Sequence, residues 1–197
     1  YMCSEYSRDI LISLAEALPD YRIVFKPYAD EFEEFTQWVM AACENHENIQ
    51  LSTCGSHYSE LYAKSALMVS DLSSTAYTFA FSTCRPVLFY SSKEKELQEY
   101  VSQLGADAYV ESRQEVGAVV NSPQELVLAA KDCLNSMDFW SQKISQFREQ
   151  ELYQVGRCTD YLTNHFDKIV EGESLPEWGV LRENVNPIKN NIYNKYP

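Results

Sequence analysis

In Ala66-Leu-Met-Val-Ser-Asp-Leu-Ser-Ser-Thr-Ala-Tyr-Thr-Phe-Ala-Phe-Ser-Thr-Cys-Arg-Pro-Val-Leu-Phe-Tyr90 a short apolar run meets a hydroxyl cluster and a second apolar run follows. Ala66 to Val69 is short and apolar enough for a buried strand, Asp71 to Thr75 is turn chemistry, Ala76 to Phe81 supplies two helical turns, and Pro86 to Tyr90 is a second strand. A helical crossover between two apolar strands is a βαβ unit, in which the strands run parallel and ligands bind at their carboxyl ends. The turn at Asp71 to Thr75 is therefore the first candidate for a site.

Working outward, the same alternation continues. Upstream, Ile10, Leu11, Leu14 and Leu18 mark one face of a helix over Glu5 to Leu18, Pro19 and Asp20 end it, and a strand follows from Tyr21 to Phe25. A helix near Asp30 to Cys43 places Phe32, Phe35, Val39 and Cys43 at core spacing, with Glu31, Glu33 and Glu34 suited to the dipole of its first turn. Ile49 to Leu51 is a minimal strand, Cys54-Gly55-Ser56 a turn, and Tyr58 to Lys64 a short helix.

Downstream, Glu94 to Leu104 reads as a helix, and Ala108 to Val110 and Val116 to Val120 as short strands. Ser122-Pro-Gln-Glu125 combines an N-cap serine, a first-position proline and a glutamate three residues on, which predicts a helix from Pro123 to about Asn135. Phe139 to Leu152 and Thr159 to Val170 read as two more helices parted by Gly156, and the segment after Gly172, rich in Asn and Pro, as an irregular tail. The expectation is an α/β fold, a Rossmann-like parallel sheet with helices on both faces, in a domain over residues 1–171 with a tail over 172–197.

Composition narrows the function classes. With 197 residues and 45% hydrophobic content the chain can bury a sizeable core, and its formal net charge of -13 opposes attraction to nucleic-acid phosphates. Six scattered cysteines without a Cys-x-x-Cys pair suggest reduced thiols in a cytoplasmic setting, and no run approaches the length of a membrane span. An opening Tyr1 in place of Met reads as a fragment.

At the carboxyl edge of a parallel sheet four loops should converge: Lys26 to Tyr28, Thr53 to Ser56, Asp71 to Thr75, and Ser91 to Lys93. Ser73, Ser74 and Thr75 sit where helix amides are unpaired and the dipole is positive, a seat for a diphosphate, and Lys26 adds a compact positive charge. The plainer reading makes one serine an N-cap, Asp71 a turn closer, Lys26 a solvated strand-end charge and Arg85 a helix terminator. His46, His57 and His165 read as loop or surface residues, and Cys54 with His57 is too few ligands for a metal site, so no metal or cofactor is expected.

Four stretches in order resemble the carboxyl-terminal half of the CDP-glycerol glycerophosphotransferase family, the polymerases and primases of teichoic-acid-like polymers. Tyr21-Arg-Ile-Val-Phe-Lys-Pro-Tyr28 resembles the family's strand ending in a basic residue, Pro and His, and Leu61 to Ser74 its helix, strand and Ser/Thr-Asp-x-Ser-Ser signature. Arg85-Pro-Val-Leu-Phe-Tyr90 resembles the next strand, and Tyr153-Gln-Val-Gly-Arg-Cys-Thr-Asp-Tyr-Leu162 the turn into the last helix. The resemblance covers about residues 5 to 170 and implies the donor-binding half of a two-domain GT-B transferase. That half would bind CDP-glycerol or another nucleotide-activated donor. It would work with an absent amino-terminal domain and a polymer or lipid-linked acceptor, at the inner face of the cell membrane.

The resemblance carries diphosphate binding onto Lys26, Ser73, Ser74 and Thr75, with Tyr28, Asp71 and Arg85 in support. Tyr28 stands where the family has His and carries no catalytic assignment. A GT-B glycosyltransferase using a nucleotide sugar and a non-catalytic GT-B-like scaffold are the alternative readings. Residues 1–197 alone are expected to give no turnover, because a cleft enzyme needs both walls to orient its reactants.

Overall fold

The computed structural model describes residues 6–27, 33–52, 58–71, 73–103, 110–152 and 154–173. Ile10, Leu11 and Leu14 recur at helical spacing and are buried on one face of α1 (Tyr6–Ala17), which leads through Pro19 into β1 (Ile23–Phe25). There follow α2 (Glu33–Ala42), β2 (Ile49–Leu51), α3 (Tyr58–Lys64), β3 (Met68–Ser70), α4 (Ser74–Thr83), β4 (Val87–Tyr90) and α5 (Glu94–Gln103). A single turn, α6 (Arg113–Val116), runs straight into β5 (Gly117–Val120), after which come α7 (Pro123–Asn135) and α8 (Met137–Glu151). These elements form one unit, Tyr1–Glu151, and Leu152–Pro197 forms a second.

All strand pairs among the described residues are parallel, in two ladders. β1 pairs with β2, Ile23 opposite Ile49, and β4 lies between β3 and β5, with Val87 facing Met68 on one side and Gly117 on the other. This is an α/β fold of short parallel sheets flanked by helices. The single sheet expected from sequence is two ladders here, and no ladder is described between β1 and β3. Three-residue strands offer few pairing groups, and side-chain packing bridges the gap instead: Ile23 of β1 and Val69 of β3 border the same core.

The period-two geometry of a strand explains why β4 is apolar at every position. Leu88 and Tyr90 point to the face covered by Ile10 and Leu14 of α1 and Leu126, Ala130 and Cys133 of α7. Val87 and Phe89 point to the other face, against Ala76, Phe79 and Ala80 of α4 and Ile144 of α8. Val87, Leu88 and Phe89 are fully buried, each side chain contributing about 1.5–3 kcal/mol relative to exposure. A third cluster joins Leu11 and Ala15 of α1 to Phe25, Val39 and Ile49 around β1 and β2.

Several boundaries differ from the sequence expectation for identifiable reasons. The central helix starts at Ser74, not Ala76, because Ser73 caps it, and it ends at Thr83 where Cys84 turns left-handed at φ 52°. Val110 and Val116 are helical and the strand begins only at Gly117, since Ser112 and Arg113 hold a turn there; Ala108 and Tyr109 lie outside the described residues. In the second unit the helix expected over 159–170 is two, α9 (Cys158–Asn164) and α10 (Phe166–Glu171). The break falls at His165, whose Nδ1 lies 2.8 Å from the carbonyl oxygen of Tyr161.

The cap read at Ser122 is present. Its Oγ accepts the Glu125 amide at 3.2 Å, and Glu125 Oε2 reaches back to accept the amide of Asn121 at 2.8 Å. Ser122→Ala should therefore cost about 1 kcal/mol. Urea unfolding checks this, with a lower midpoint at unchanged slope expected.

Candidate functional site

The turn between β3 and α4 has a defined geometry. Ser73 is extended at φ -130° and ψ 133°, its amide donates to the Asp71 carbonyl at 3.0 Å, and its own carbonyl accepts the Ala76 amide at 3.0 Å. Its Oγ accepts the Thr75 amide at 3.3 Å, so the capping role is real, and the hydroxyl proton remains available to donate. Ser74 is exposed at the first helical position and Thr75 half-buried beside it. The helix behind them is ten residues long, enough to carry a dipole whose positive end faces the turn.

Lys26 follows β1 directly. Its ammonium sits 4.7 Å above the ring of Tyr58, the first residue of α3. From Tyr58 the aromatic contacts run through Tyr62, 5.9 Å away, to Phe79 of α4 at 5.3 Å edge-to-face. The structure thus connects Lys26 to α4 through the rings of α3. Among the described residues no hydrogen bond links Lys26 to Ser73, Ser74 or Thr75.

Arg85 has a mainly architectural place. Its Nη1 donates to the carbonyls of Tyr62, Ala63 and Ser65 at 3.3, 2.9 and 2.6 Å, satisfying the orphan acceptors at the end of α3. That brace fixes α3, and with it the start of β3, against the connection between α4 and β4 that carries Arg85. Tyr28, and the loop around Cys54 and His57, lie outside the described residues.

Sequence reasoning missed a buried ion pair at the end of β4. Arg113 is 2% exposed, and its guanidinium spans both carboxylate oxygens of Glu94 while Nε donates to the Val110 carbonyl at 3.1 Å. Burial works to raise the Glu94 carboxyl, but hydrogen bonds from Arg113, Ser91 and Gln98 outweigh it and hold the group below its ordinary value. In the sequence Ser112-Arg113-Gln114-Glu115 looks like a solvated charge run; nothing in it signals a buried arginine.

Burial raises the Tyr90 phenol at the end of β4, and Tyr6, Asp9 and Glu125 push the same way. The two buried cysteines are poor nucleophiles: burial raises the Cys43 thiol, and burial with Asp132 pushes Cys133 up to about 11. Among the described residues no group of three His, Cys, Asp or Glu could hold a metal ion, and no helix is long and apolar enough to cross a membrane.

Comparison with protein families matches residues 9–165 to CDP-Glycerol:Poly(glycerophosphate) glycerophosphotransferase, well over half of the chain. The chain belongs to this family. The match includes both loops that carry Lys26 and Ser73 to Thr75, and membership makes the general activity that of a glycerophosphotransferase, with CDP-glycerol the donor in the family's name. No match was found among curated proteins or among solved structures.

Proposed function

We propose that this chain binds the activated donor in a transferase that moves glycerol phosphate, or a similar polyol phosphate, from a CDP-linked donor to a polymer or lipid-linked acceptor at the inner face of the membrane. The observation that carries the reading is the run of three hydroxyls, Ser73 to Thr75, at the amino end of α4 and the carboxyl end of β3, in a chain of the glycerophosphotransferase family. Such an edge of a parallel sheet, with helix amides and hydroxyls together, suits a diphosphate.

The chemistry follows from the donor. An acceptor hydroxyl oxygen attacks the phosphorus that bears the glycerol, the bond to the bridging oxygen breaks, and CMP leaves with the electron pair. The proton of the attacking hydroxyl passes to solvent. Charge grows on the departing CMP phosphate, and hydroxyl protons of Ser73, Ser74 and Thr75, the helix dipole and the Lys26 ammonium stabilise it. Asp71 shapes the turn through its carbonyl, and Arg85 holds α3 in place.

Calorimetric titration of the purified chain with CDP-glycerol, UDP-glucose and glycerol 3-phosphate tests the donor class. CDP-glycerol should bind at least about ten-fold tighter than either of the others, a gap of about 1.4 kcal/mol. Preference for UDP-glucose would instead make the chain a nucleotide-sugar transferase domain, and binding of none of the three would favour a scaffold role.

A further inference from the structure

We propose that a pocket at the carboxyl ends of β4 and β5 is a subsite for an uncharged, hydroxyl-rich group, a polyol or sugar unit. Glu94 begins α5 just after β4, Val119 lies in β5 and Asn121 follows it, and with Val101 and Val110 they line an open pocket of about 460 Å³, within the range of small-molecule sites. Strands lie ~4.8 Å apart, so β5 is roughly 10 Å across the sheet from β3 and the Ser73 turn.

The lining chooses the ligand. Its only cation among the described residues, Arg113, has its guanidinium already committed to Glu94 and the Val110 carbonyl. An entering phosphate would meet two carboxylates, Glu94 and Glu111, and no unpaired positive charge. The described lining residues include no aromatic side chain on which a nucleobase would stack.

A polyol fits on both counts. Gln98, Gln114 and Asn121 bring amide groups that donate and accept, matching hydroxyls that do the same. Gln98 Nε2 already donates to Glu94 at 3.0 Å and Asn121 Nδ2 reaches Glu125 at 3.5 Å, so these two side chains offer chiefly their carbonyl oxygens. Val101, Val110 and Val119 supply an apolar floor for carbon–hydrogen faces. The binding rests on the pocket alone; only its part in the transfer reaction rests on the donor reading above.

Titration of the isotope-labelled chain with ribitol, glucose and inorganic phosphate, read by amide resonances, provides the test. Ribitol or glucose should shift Gln98, Gln114 and Asn121 saturably, with a dissociation constant of about 1–10 mM, and phosphate should not. Gln114→Ala should weaken the binding about three- to ten-fold. The fold tolerates that change, because Lys143 holds the Gln114 carbonyl and not its side chain. Shifts that never saturate with either polyol, equal affinity in the variant, or saturable phosphate binding at these residues would overturn the proposal.

Adding CDP-glycerol identifies the source. If it moves the same resonances, the pocket takes the donor's polyol; if it leaves them still and ribitol binding persists, the pocket takes an acceptor unit. Loss of CDP-glycerol binding with polyol binding retained refutes the donor reading and leaves the pocket standing.

Discussion

Gly117→Ala is expected to lose about 3 kcal/mol or more of stability and to lower Tm by roughly 10 °C. Gly117 opens β5 and pairs with Val87, and a Cβ built on it would lie 1.6 Å from the Val87 carbonyl oxygen and 2.6 Å from its carbon. Both atoms are backbone of the fully buried central strand, so nothing flexible can yield. The requirement is for room and not for an unusual dihedral, since φ at Gly117 is 170°, ordinary extended backbone. Gly156 offers the contrasting control: it has φ 73° and nothing within 4 Å of an added Cβ, so Gly156→Ala should cost only about 1–2 kcal/mol, through its left-handed backbone. Thermal unfolding of the two variants side by side separates the causes, and a Gly117→Ala variant as stable as the parent would mean that β4 and β5 are not paired in this register.

Arg113→Leu should cost about 1–3 kcal/mol, because the partly buried Glu94 carboxylate loses its guanidinium partner. Replacing both residues, Arg113→Leu with Glu94→Leu, should recover much of that loss, as no buried charge then remains. The pair also sets an acid dependence. The folded-state carboxyl of Glu94 lies below its ordinary value of 4.5, so its contribution is fully present above that pH and is lost as pH falls through the lowered folded value. Urea unfolding between pH 7 and pH 3 should show this loss in the parent and not in the double variant. A single variant as stable as the double one would show that Glu94 escapes to solvent.

The sheet was legible because β4 has no polar residue in Val87 to Tyr90, and only a strand covered on both faces tolerates that. The caps were legible too, since Ser73 and Ser122 are local devices whose partners lie two or three residues away. What sequence could not show is long-range. In sequence Arg85 reads as a helix terminator, whereas its guanidinium sits on the end of α3, some twenty residues earlier. Arg113 looks solvated until Glu94 is placed beside it, and Gly117 is one small residue in a strand until Val87 approaches. The site followed the same rule: the Ser73 turn was readable as a unit, whereas the contact of Lys26 with the Tyr58 ring depends on how β1 and α3 are set together.

The central claim is that Ser73 and Ser74 hold the donor's diphosphate as well as starting α4. Replacing both by Gly removes the hydroxyls while costing the cap only a few tenths of a kcal/mol. Titration of CDP-glycerol into the parent and into this double variant, with unfolding midpoints measured on the same preparations, is the most direct measurement. Nearly equal midpoints and a dissociation constant raised about ten-fold or more are expected, the effect of losing hydrogen bonds to a charged group. Equal dissociation constants for the two proteins would contradict it and leave Ser73 a helix cap alone.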